Sequence, residues 1–148
     1  MSKKISRILL AIVAISLLII STGCFKRDII ISSSSDTLTL KKIGTETYIL
    51  DDKLSLKGTS FLSPVIINSV TMRFLGEDGV EKFACPHKFT TQIAVGSKQA
   101  AVIDLADIAI EMSDEEAQIV KEAKTVMLRF SFSGILPVDK IYKLNVSY

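Results

Sequence analysis

The 148-residue chain has no tryptophan, one histidine, two cysteines, three prolines and seven glycines. A single histidine excludes every centre that needs two, including His-rich zinc sites and the paired-histidine metalloprotease helix. No Gly-x-Ser-x-Gly, Ser-x-x-Lys, Gly-x-Gly-x-x-Gly or phosphate-loop pattern occurs, and the few glycines leave little for a cofactor cradle. These absences lead us to expect no enzyme and no cofactor. Charge of one sign is also lacking: 18 Lys plus Arg stand against 16 Asp plus Glu, a formal +2, scattered along the chain. That excludes a surface built to neutralise nucleic-acid phosphates, so no nucleic-acid partner is expected. What is present is a 48% hydrophobic composition over the length of one ordinary domain, enough for a packed core.

The apolar residues are not evenly spread. Lys3, Lys4 and Arg7 precede an apolar run over residues 8–20 (ILLAIVAISLLII), and Ser21-Thr22-Gly23-Cys24 follow. A spanning helix needs about 20 apolar residues, so this run suits the apolar stretch of a signal peptide better than a membrane span. The order of cations, apolar run, small residues and cysteine resembles a bacterial lipoprotein signal peptide, with Ser21 standing where that family usually has leucine. The resemblance covers the first sixth of the chain. It implies cleavage before Cys24, a diacylglyceryl group on the Cys24 sulfur and acylation of the new amino terminus, with palmitate-type chains in the membrane. Each buried methylene contributes about 0.8 kcal/mol, so two or more chains hold a protein durably. The mature chain would then have 125 residues with 15 basic and 16 acidic side chains, because residues 1–23 carry three cations and no acid.

Beyond the anchor, the four serines before Asp36 offer nothing to bury, and residues 24–36 are read as the lipidated cysteine and a flexible tether. Residues 29–31 (III) leave two other readings open, an edge strand or a segment resting on lipid. From Thr37 the pattern is that of short strands. Val, Ile and Thr supply 32 of the 125 mature residues, a density of branched side chains that favours sheet over helix. Alternation places one face inward in Leu38/Leu40, Leu54/Leu56, Val70/Met72/Phe74 and Ala101/Ile103/Leu105. It recurs in Val126/Leu128/Phe130/Phe132 and Tyr142/Leu144/Val146/Tyr148. Gly76-Glu77-Asp78-Gly79 is the clearest hairpin turn. Ser113-x-x-Glu116 has the form of a helix capping box, which predicts a short helix over residues 114–123 crossing between the sheets. The fold expected is all-β, an immunoglobulin-like β-sandwich over residues 37–148 with one short crossing helix, preceded by a cleavable signal peptide.

Few residues invite chemistry. Cys85-Pro86-His87 puts a thiol and an imidazole two residues apart, but two further metal ligands would have to be carboxylates; a small buried thiol in a loop or strand end, with His87 partly exposed, is the simpler reading. Asp104, Asp107, Glu111, Asp114, Glu115 and Glu116 fall within thirteen residues, yet the calcium-loop spacing is missing and the last three fit the first turn of a helix. An envelope hydrolase using Asp104 and Asp107 ranks last among the readings. Phe61 and Leu62 are apolar in a stretch read as a loop after Gly58, which makes them candidate partner contacts. The expectation is therefore a lipoprotein of the bacterial cell envelope, its domain outside the cytoplasm, anchored to the membrane through acyl chains on Cys24. It would serve as a non-enzymatic binding or scaffolding module for an envelope protein. The alternative is a module that binds or transfers a small or lipid-like ligand.

Overall fold

The computed structural model of the chain describes residues 28–59 and 64–147. Ten strands follow one another: β1 (Ile29–Ser33), β2 (Thr37–Lys42), β3 (Thr47–Leu50), β4 (Lys53–Gly58), β5 (Val65–Leu75), β6 (Glu81–Val95), β7 (Ala101–Asp104), β8 (Ile110–Glu111), β9 (Thr125–Phe132) and β10 (Ile135–Ser147). A 3-10 turn (Leu105–Asp107) follows β7, and the one helix among the described residues, α1 (Asp114–Lys121), lies between β8 and β9. Strands β1-β4-β7 form a small sheet, and β6-β5-β9-β10-β2-β3-β8 a large one. Neighbours are antiparallel except β10 and β2.

Alternation explains why the two sheets face each other. Leu38, Leu40, Val70, Met72, Phe74, Val126, Leu128 and Phe130 of the large sheet are buried together with Leu54, Leu56 and Ile103 of the small one, in one continuous core. The arrangement is sandwich-like and mostly β. Full burial of a Phe- or Leu-sized side chain is worth roughly 1.5–3 kcal/mol, so each inward face holds its sheet against the other. Outward positions are polar: Arg129 donates to both carboxylate oxygens of Asp139 at 2.7 Å, and Arg73 pairs with Glu81.

Two positions require glycine. Gly79, at φ +74°, completes the β5–β6 turn, where its N–H donates to the Gly76 carbonyl at 3.0 Å, and Gly134, at φ +78°, turns β9 into β10.

The capping box forms as its spacing predicts. Ser113 Oγ accepts from the Glu116 N–H at 3.2 Å, and the Glu116 carboxylate accepts from the Ser113 N–H at 2.8 Å. The helix does not cross between sheets, however. It joins β8 and β9, which belong to the same large sheet, and packs against β6 at that sheet's other edge. Two-residue β8 ends at one margin of a strongly curled sheet, and α1 bridges the gap to the opposite margin with Ala117 and Val120 buried beneath it.

Two further segments differ from a reading by periodicity. Of the expected tether, Ile29–Ser33 pair with β4 as an edge strand, burying Ile29 and Ile31. The Cys85-Pro86-His87 triplet lies in the middle of fifteen-residue β6, not in a loop or strand end. Proline removes one ladder donor, which β6 tolerates because among the described residues it has a strand neighbour on one side only.

Candidate functional site

Strand β6 is where the sandwich fails to close. Helix α1 packs against it, and its second half runs beside β7, the margin of the small sheet, without pairing to it. Between Ser69–Lys88 and Ile67–Ile93, β5 advances two residues while β6 advances five, so β6 carries a three-residue bulge. A bulge re-aims side chains and ends regular pairing, and such features recur beside binding sites. Here it brings Phe89 edge-on to the His87 ring, with centroids 5.1 Å apart.

The result is a groove in two parts. The larger, about 680 Å³, is lined by Pro64, Ile93, Ala94, Lys98, Ala101 and Val102 among others. The smaller, about 250 Å³, is lined by His87, Phe89, Ile93, Val102, Asp104 and Asp107 among others. Ile93 and Val102 belong to both, and Val102 is 64% exposed, an apolar side chain left on the rim.

Of the chemically suggestive residues, the fold brings His87, Asp104 and Asp107 to one cavity, which no linear spacing announced. Asp104 is already committed: its Oδ1 accepts from the Ala106 N–H at 3.1 Å, capping the 3-10 turn, and its Oδ2 lies 3.2 Å from Lys53 Nζ. A carboxylate held on both oxygens is poorly placed to shuttle protons. Cys85 is half-buried, and burial, then the Glu111 carboxylate, raises its thiol above the ordinary range. That favours the thiol over the thiolate, the reverse of what nucleophilic attack or metal ligation requires. Among the described residues no three His, Cys, Asp or Glu side chains are grouped to hold a metal ion. Asp114, Glu115 and Glu116 occupy the first turn of α1, where acids oppose the helix dipole.

Cys24, Phe61 and Leu62 lie outside the described residues. Among the described residues no helix is long and apolar enough to cross a membrane. The residues that sequence reasoning missed are Ile93 and Val102, while Phe89, one of the aromatics that could form a ligand-binding row, reads from the sequence as core packing. The only linear signal here is the alternation Phe83, Cys85, His87, Phe89 along β6, interrupted by Pro86 and the bulge. Compared with known proteins, the chain matches no family model, no curated protein and no solved structure.

Proposed function

We propose that the chain is a lipid-anchored protein of the bacterial envelope whose immunoglobulin-like sandwich binds an extended segment of a partner protein and catalyses no reaction. One observation carries the binding mode: among the described residues the outer edge of the second half of β6 has no partner strand, and it runs along a groove of mixed apolar and polar lining. A strand edge supplies main-chain donors and acceptors to an added strand, and a groove beside it accepts alternate side chains. The lipobox-like Ser21-Thr22-Gly23-Cys24 supports the anchor, and two facing sheets around one core support the immunoglobulin-like assignment.

A photo-crosslinking residue at Val102, in native membranes, is expected to yield one adduct of discrete mass, mapping to an extended, alternately apolar partner segment. The same residue at Ile141, 57% exposed on the outer face of β10, serves as the control. Equal, dispersed labelling from both positions would overturn the reading. A second reading, capture of a small or lipid-like ligand, draws on the cavity of about 680 Å³, which lies in the range of small-molecule sites. It expects a co-purifying mass in native mass spectrometry of protein extracted from its own membranes, and is rejected if the protein is always bare.

A further inference from the structure

We infer that one end of the sandwich, marked by Leu136, Pro137, Pro64 and Lys98, docks on an anionic phospholipid bilayer, fixing how the domain stands on its membrane. The inference rests on the anchor at Cys24 and adds an orientation to it. The described chain starts at this end. Ile29 pairs with Gly58, and the Thr59 N–H donates to the Asp28 carbonyl at 2.8 Å. The same end collects the Gly96–Ala101 connection, since the Gly58 N–H donates to the Gly96 carbonyl at 3.0 Å. It also holds the β9–β10 turn, since the Ser133 N–H donates to the Ile66 carbonyl at 2.9 Å.

Lengths decide the matter. Asp28 lies four residues after Cys24, which extended chain spans in at most about 14 Å. Eleven-residue β5 alone runs about 36 Å from this end to the other. A tether shorter than half the domain, leaving from one end, keeps that end within about 14 Å of the lipid.

The surface chemistry agrees. Leu136 is 85% exposed at the hairpin tip, the most exposed large hydrophobic side chain among the described residues. Next to it stands Pro137, also exposed. Among the described residues, the 96–100 connection and the β9–β10 turn with the start of β10 (133–137) carry Lys98 and no acid, and Asp28 at the chain exit is the acid of this end. The opposite end carries Glu46, Glu77, Asp78, Asp114, Glu115 and Glu122 beside its lysines. An apolar tip entering the headgroup boundary gains burial, and an acid-poor surface avoids repulsion from anionic headgroups. The larger part of the groove, lined by Pro64 and Lys98, then opens close to the headgroups.

The natural absence of tryptophan provides the probe. Full-length lipidated protein carrying Leu136→Trp, or Val80→Trp at the opposite β5–β6 turn, is reconstituted into phosphatidylethanolamine–phosphatidylglycerol vesicles brominated on their acyl chains. Both sites are exposed, so both variants should fold. The expected result is co-flotation of both proteins, with blue-shifted emission and loss of most intensity for Leu136→Trp and neither change for Val80→Trp. Co-flotation without stronger quenching of Leu136→Trp overturns the docking while leaving the anchor standing. Failure to float overturns the anchor, and the docking with it.

Discussion

Cys85 and Tyr142 show how position on a strand sets the behaviour of a side chain. Both face inward, and both are made less acidic chiefly by burial, with Glu111 reinforcing the effect on Cys85 and Asp52 and Asp36 on Tyr142. The Cys85 thiol is therefore expected to react with iodoacetamide at neutral pH more slowly than a free thiol, and at the ordinary rate once the protein is unfolded in urea; mass spectrometry of timed samples reads both. Among the described residues the buried Tyr142 hydroxyl has no hydrogen-bond partner. An unsatisfied buried hydroxyl costs roughly 1–3 kcal/mol, so Tyr142→Phe should unfold at the same or a higher temperature. A tyrosine pKa raised by folding adds stability below the unfolded value near 10 and loses it as pH rises through the folded value. Chemical denaturation above that pH should accordingly favour Tyr142→Phe further, and a constant difference between the proteins would count against the assignment. The inward faces of Leu38/Leu40, Val70/Met72/Phe74 and Val126/Leu128/Phe130 were legible as alternation, since a period of two is local. The direction of Cys85 was not, because Pro86 interrupts the pattern beside it.

At the scale of elements, α1 and β6 illustrate opposite cases. The helix announces itself through Ser113 and Glu116, two residues three positions apart that satisfy each other's backbone groups. Ser113→Ala should cost about 1 kcal/mol, lowering the melting temperature by about 4 °C, with Ser113→Asn close to wild type. Its route was not legible: what α1 joins depends on which sheet β8 and β9 enter, and that is settled by long-range pairing. Strand β6 is the longest element and the least visible in the sequence, since its inner face mixes Phe83, Cys85, His87 and Phe89 and its bulge breaks the register. Only the edge position of β6 makes proline and bulge tolerable, and the same position leaves the groove. β1 was partly legible, because three isoleucines allowed a strand, but burial of Ile29 and Ile31 required β4 as partner.

For the molecule as a whole, one core serves two sheets, so damage to either face is felt by both. Phe74, fully buried, should cost about 3–5 kcal/mol as Phe74→Ala, comparable with the whole stability of a domain this size. Equilibrium urea unfolding should show either a large loss of midpoint or no cooperative transition, and a shift within error would mean that the sheets hold without each other. The sequence by itself determined the all-β character, the turn at Gly76 to Gly79 and the cap of α1, because each is written in residues a few positions apart. The tertiary structure alone decided that β6 is an edge among the described strands, that His87, Asp104 and Asp107 share a cavity, and that the described chain starts at the end bearing Leu136. Those facts depend on pairings between residues tens of positions apart, whose closure entropy is offset only when both sheets bury their faces together.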